Sequence, residues 1–285
     1  MHQNLRRSVA FASMLLAVLA FAGPVLAQVP RNWELGMQAA HSPVKERIAS
    51  LHDAVLIIIT LVTLLVAGLL VYVLVRYNHR RNPTPSRTSH HTLVEVLWTV
   101  LPVLILVGIF IPSLRLVYYE DRTREADLTV KVTAHQWYWE YTYPDNGNVD
   151  FTSYMVPNDA LKPGQLRLLD VDNQLVLPVG KNVRILTTSA DVIHSFFVPS
   201  LGVQRYAIPG RIIETWVRVD ATGDYYGECN QICGTNHSMM PISIHAVAPE
   251  EFNSWVQQAK IKFAADAVPP AAGFAVAQVQ PQVQH

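Results

Sequence analysis

Leu128-Thr-Val-Lys-Val-Thr-Ala-His-Gln-Trp-Tyr-Trp-Glu-Tyr-Thr-Tyr143 is a long run of β-branched and aromatic residues with a period of two. Trp137, Trp139, Tyr141 and Tyr143 share one face of that run, while Gln136, Tyr138 and Glu140 point the other way. Alternate side chains of a strand leave on opposite faces, so the pattern predicts a strand with one side buried. Asp145-Asn146-Gly147 then supplies turn chemistry. Further β-rich segments include Leu166–Val171, Val183–Thr188, Ile212–Val219 and Ile242–Val247. Pro163-Gly164, Pro178-Val179-Gly180, Pro209-Gly210 and Thr222-Gly223 punctuate them. Short strands at this spacing predict an all-β sandwich or barrel of roughly 130 residues. Pro249 to Phe263 departs from the pattern. Glu250, Glu251, Trp255, Val256, Ala259 and Phe263 fit a short amphipathic helix that closes the domain. Residues 265–285, rich in Ala, Pro, Gln and Val, read as a flexible tail.

Near the end of the β-rich region stands Cys229-Asn-Gln-Ile-Cys233-Gly-Thr-Asn-His237-Ser-Met-Met240. Two thiols, an imidazole and a thioether in one loop are the ligand set that soft copper prefers. A single blue-copper centre needs one cysteine, so a second thiolate offers a bridge between two metals. Zinc has little use for the methionine. The alternative is a disulfide between the only two cysteines of an exported chain.

Ahead of the β region the chain is apolar. Residues 1–27 read as a secretory signal peptide: Arg6 and Arg7, an uncharged stretch from Val9 to Ala22, and a small-x-small ending at Val25-Leu26-Ala27. Residues 28–50 follow as an extracytoplasmic segment, and 51–118 as a two-helix transmembrane hairpin. Ala54–Val75 and Val96–Leu114 each run without a charge for long enough to approach the hydrocarbon thickness, roughly 30 Å. Arg76, Arg80, Arg81 and Arg87 lie between them with no acidic residue before Glu95, which places that loop in the cytoplasm and residues 119–264 outside. From Glu120 to Ala265 there are 17 acidic and 12 basic residues, a net charge of minus five. An acidic external domain suits a basic soluble partner or simple solubility; no nucleic-acid partner is expected.

Two spans, the aromatic His135-Gln-Trp-Tyr-Trp139, Asp191-Val-Ile-His194-Ser and the Cys/His/Met loop together resemble subunit II of haem-copper cytochrome c oxidases. The resemblance covers essentially all of residues 50–263. It implies a cupredoxin-like β domain carrying a dinuclear copper centre, CuA. Cys229 and Cys233 would bridge the coppers, His194 and His237 would each ligate one, Met240 would be a weak ligand to one, and the Gln231 carbonyl would ligate the other. His194 lies far enough before Cys229 for strands to return the chain to it. The resemblance further implies that reduced cytochrome c delivers electrons near Trp137. They would pass to haem in subunit I, where oxygen is reduced to water and protons are pumped, with subunit III as a further partner. Asp145, Asp172 and Asp191 match docking positions, while Thr142 stands where relatives are acidic. Glu95 matches the mouth of a proton path. The expected location is a bacterial-type plasma membrane, with the β domain on the periplasmic side.

One position departs from the family pattern. Gln231 stands where a glutamate commonly reaches magnesium at the subunit I contact, and a neutral amide is a weaker partner for a hard cation. The adjacent Glu228 is the only nearby carboxylate of that loop. A magnesium or manganese site there is therefore doubtful, whereas a backbone copper ligand does not depend on the side chain. A quinol oxidase subunit would share the architecture but lack the copper ligands. A copper chaperone and a disulfide-bonded binding domain are the alternatives of other classes; metal content separates them.

Overall fold

The computed structural model describes residues 30–84, 86–121 and 125–264. The signal peptide and the tail expected at 265–285 lie outside the described residues.

Two helices form the hairpin. Helix α1 runs Pro43–Arg76 and α2 runs Thr92–Asp121. Both expected spans lie inside them, and their apolar side chains, such as Leu64, Leu74 and Leu106, face outward rather than into a core. Ser42 caps α1 by accepting a hydrogen bond from the Lys45 N–H, with proline in the first turn where no N–H partner is needed. Helix therefore begins within the segment expected to precede the hairpin. Pro102 and Pro112 sit inside α2 without ending it.

The external domain consists of two five-stranded sheets. One has the order β3-β2-β1-β5-β8 and the other β4-β10-β9-β6-β7. The first is built from β1 (Leu128–His135), β2 (Tyr138–Tyr143), β3 (Val149–Ser153), β5 (Val183–Ser189) and β8 (Ile213–Val217). The second comprises β4 (Leu175–Pro178), β6 (His194–Val198), β7 (Val203–Ala207), β9 (Gly223–Cys229) and β10 (Pro241–Val247). Val130, Val132, Trp139, Tyr141 and Ile185 from one sheet and Leu175, Phe196, Tyr225, Ile242 and Ile244 from the other belong to one buried cluster. Helix α3 (Pro249–Ala264) adds Phe252, Val256 and Ala259, with Trp255 and Phe263 packed beside them.

Two strand expectations change. The Leu128–Tyr143 run is not one strand but an antiparallel hairpin turning at Gln136-Trp137, with His135 opposite Tyr138 and Lys131 opposite Thr142. Inward residues are even-numbered in β1 and odd-numbered in β2. Trp137 therefore lies in the connection rather than on the face with Trp139. Leu166–Val171 forms turns, with only a bridge from Val171 to Met155. Asp170 accepts the Leu166 N–H there, folding the segment back on itself.

The hairpin is fastened to the domain at several points. Ser42 Oγ donates to Leu201 O at 2.6 Å, the His41 N–H to Ser200 O at 3.1 Å, and Trp216 Nε1 to Tyr119 O at 2.9 Å. Arg205 pairs with Asp121. Gly202 has φ +65°, and a Cβ there would lie 3.0 Å from the Lys45 backbone, so only glycine permits this approach.

Candidate metal centre

Three neighbouring strand ends build the centre. Cys229 ends β9, and β6 pairs with it through Phe196 opposite Cys229, so His194 at the start of β6 reaches past that end. On the other side of β9, Pro241 of β10 lies opposite Glu228, which brings the preceding Met240 to the same place. The loop between β9 and β10 carries Cys233, and a short turn at His237–Met239 brings in the second imidazole.

The donor atoms fall into two sets around a pair of sulfurs. Cys229 Sγ and Cys233 Sγ are 3.9 Å apart and both are free thiols. A disulfide requires about 2.05 Å, so the cysteines are not bonded. Around Cys229 stand His194 Nδ1 at 3.9 Å and the Gln231 carbonyl oxygen at 3.3 Å. Around Cys233 stand His237 Nδ1 at 3.5 Å and Met240 Sδ at 3.6 Å. Met240, His194 and both cysteines are buried, while His237 is half-buried. One ligand atom each from His194, Cys229 and Cys233 lies within 4.8 Å of the others.

The two sulfurs differ in their electrostatic surroundings. Burial works against the Cys229 thiolate, but hydrogen bonds from His194 and the Ser195 N–H outweigh it and bring its pKa to about 7. Cys233 is pushed up to about 12 by burial and by the Cys229 thiolate beside it. The pair thus holds one negative charge easily and two with difficulty. A soft cation between the sulfurs would relieve both, and the buried thioether offers it a further soft donor. On chemistry and spacing alike, the residues fit copper.

Residues 128–247 match the family described as "Cytochrome C oxidase subunit II, periplasmic domain", and residues 30–116 match its "transmembrane domain" counterpart. The chain belongs to the cytochrome c oxidase subunit II family. It is 48% identical over 242 residues to the "Probable cytochrome c oxidase subunit 2" of Rickettsia bellii, covering 85% of this chain and 90% of that one. It is 43% identical to "Cytochrome c oxidase subunit 2" of Oenothera berteroana, covering 85% of this chain and 96% of the relative. Among solved structures, the periplasmic domain of subunit II of cytochrome oxidase (CoxB) of Bradyrhizobium japonicum is similar, at 50% identity and a TM-score of 0.47. That match covers 50% of this chain and 99% of the other. As a subunit II, the chain is a membrane-anchored part of a cytochrome c oxidase, an oxidoreductase complex.

Around the centre of this subunit II lies a layer that the sequence did not disclose. Trp137 Nε1 and Gln136 Nε2 both donate to the Cys233 carbonyl, at 3.3 and 2.8 Å. Trp139 Nε1 donates to Met240 O at 3.1 Å. His194 Nε2 meets Asp191 Oδ1 at 2.8 Å. The Asp-x-x-His spacing was the sequence signal for that last pair; nothing in the sequence marked Gln136. Burial lowers the pKa of His194, but Cys229 and Asp191 outweigh it and the net shift is upward.

The other singled-out residues of this subunit II are dispersed. Asp145 accepts from the Thr129 N–H and Asp191 from the Gln136 N–H, at opposite ends of β1 and roughly 23 Å apart by strand rise. Asp172 accepts from the Tyr154 and Asn173 N–H groups, both at 2.7 Å. Tyr154 stacks on Tyr138, so Asp172 and Asp191 share one end of the domain and Asp145 lies at the other. Glu95, in the first turn of α2, accepts from the His91 N–H at 3.0 Å, with His90 Nδ1 3.5 Å away. Glu228 is exposed on β9 while Cys229 beside it is buried, so the two side chains leave opposite faces. His135 pairs with Glu140 and His245 with Asp224, away from the sulfurs.

Proposed function

We propose that this chain takes electrons one at a time from reduced cytochrome c at a dinuclear CuA centre and passes them to haem in subunit I. There oxygen is reduced to water with proton pumping. The reading rests on one observation above all: each of two unbonded sulfurs 3.9 Å apart has its own imidazole and its own weak donor. A single four-coordinate metal would leave two of these six donors unused. Cys229 and Cys233 would hold the metals jointly, with His194, His237, Met240 and the Gln231 carbonyl completing the set. When bound, a copper pair supplies a one-electron store whose ligand geometry changes little between oxidation levels. The chain keeps that store dry through the buried Cys229, Cys233, His194 and Met240, and covers it with Trp137 on the solvent side.

The remaining roles follow the same reading. Trp137, half-buried and bonded to the Cys233 carbonyl, receives the electron. Asp172 and Asp145 carry docking charge, and Glu95 opens a proton path from the cytoplasmic side. Residues 1–27 are removed on export, leaving a two-pass subunit of a bacterial-type plasma membrane with residues 119–264 in the periplasm, beside subunits I and III. Gln231 offers no carboxylate for magnesium or manganese, and Glu228 leaves the other face of β9.

Rapid mixing of the purified oxidase with reduced cytochrome c tests the order of events. Copper absorbance should bleach before haem is reduced, and Trp137→Gln should slow that bleaching while leaving the copper spectrum in place. Haem reduction that precedes any copper change would overturn the reading.

A further inference from the structure

Asp191 stands between the metal centre and the exposed surface, and its carboxylate is occupied from the inside. Oδ1 accepts from His194 Nε2 at 2.8 Å and from the Val192 N–H at 2.6 Å. Oδ2 accepts from the Gln136 N–H at 2.6 Å. The Gln136 side chain in turn donates to the Cys233 carbonyl, which Trp137 Nε1 also bonds. One carboxylate therefore pins the imidazole beside Cys229 and the turn that covers Cys233. Asp172 differs: both N–H groups that it accepts converge on Oδ1, and Oδ2 has no partner among the described residues. Asp172 thus keeps a whole oxygen open to an incoming cation, whereas Asp191 carries hydrogen bonds on both of its oxygens.

We propose that Asp191 is a positioning residue of the metal centre rather than a docking charge. It fixes His194 with Nδ1 free for metal, and it ties that imidazole to the Gln136-Trp137 turn on the donor-facing side. The proposal rests on the copper reading above. A carboxylate that accepts the second ring N–H of a histidine ligand orients the ring and raises its basicity. A more basic imidazole favours the higher metal charge, so Asp191 lowers the potential of the centre. Anything that disturbs the Gln136-Trp137 turn is felt at His194 through the same two oxygens.

Two variants of the intact oxidase separate position from charge. Asp191→Glu keeps the negative charge but moves the carboxylate by one methylene. Asp191→Asn keeps the shape but sets an amide N–H against one of three N–H donors. Both should alter the copper spectrum, raise its midpoint potential and weaken copper retention against a chelator by about 10- to 100-fold. For Asp191→Glu and Asp191→Asn alike, KM for cytochrome c should stay within about twofold of wild type, because docking does not rely on this carboxylate. An unchanged spectrum and potential in Asp191→Glu, with KM raised only in Asp191→Asn, would make Asp191 a docking residue and overturn the proposal alone. A wild-type complex without a two-copper signal would overturn the metal reading and this proposal with it.

Discussion

Gly234 governs how closely the surface tryptophan approaches the centre. Its φ is +121°, and a Cβ there would lie 2.9 Å from Trp137 Cζ2 and 3.1 Å from Gln136 Nε2. Gly234→Ala combines backbone strain with this clash and should cost on the order of 1–3 kcal/mol of domain stability. It should also push Trp137 off the Cys233 carbonyl. Thermal melting and rapid mixing read the two effects: a lower melting temperature and slower electron uptake, with the copper spectrum kept. Full-speed uptake in that variant would separate Trp137 from the route. Gln231 acts at the same scale but in another direction. Because the proposed copper contact of Gln231 is its backbone oxygen, Gln231→Glu should leave the copper spectrum nearly unchanged while tightening manganese binding at the proposed subunit I contact. Equal manganese affinity in the two proteins, read by the metal's spin resonance, would make the side chain irrelevant. Four of the candidate ligand side chains stood in a single loop; His194, 35 residues before Cys229, was named from that separation and from the family resemblance. Gln136 was not legible as a support, because its contacts join positions 97 and 55 apart in sequence.

At the level of elements, hydrophobic alternation located β5, β8 and β10 but concealed the β1–β2 turn. A two-residue connection leaves the period of two intact and shifts only its phase. Leu128, Val130 and Val132 against Trp139, Tyr141 and Tyr143 carried that phase change in plain view. The expected strand at Leu166–Val171 failed because a local carboxylate captured its backbone, which β propensity does not register. The pair across β9 and β10 gives a pH test. His245 Nδ1 lies 2.7 Å from Asp224 Oδ1 on the opposite strand, raising the pKa of the histidine against burial and lowering that of the aspartate. Glu251 adds to the upward shift of His245. The histidine's contribution is present below its unfolded pKa, about 6.5, and is lost as pH rises through the folded value. The aspartate's is present above about 3.9 and is lost as pH falls through its own lowered value. The pair therefore stabilises most between about pH 4 and 6.5, modestly, since both side chains are more than a third exposed. His245→Gln should lower the melting temperature more at about pH 5.5 than at about pH 8.5. An equal loss at both would remove the ion pair from the domain's stability.

In the whole molecule, a membrane hairpin is fastened to an acidic β domain. The fastening through Ser42, Gly202 and Trp216 was invisible in the sequence, because composition gives the spans but not how they meet the β domain. The net charge of minus five was visible, and it sets an expectation for the complex. Oxidation of a basic cytochrome c should weaken as salt rises, since exposed charges are screened over about 8–10 Å at moderate ionic strength. Asp172→Asn should slow association and flatten the salt profile without moving the copper spectrum. An unaltered profile would place docking elsewhere. The most direct test of the copper reading is electron spin resonance of the partly oxidised complex, with copper counted per chain. Two coppers per chain, with one electron coupled equally to both nuclei and lost in Cys229→Ser or Cys233→Ser, is the expected result. Coupling to one copper nucleus, or a site filled by zinc, would contradict a dinuclear centre.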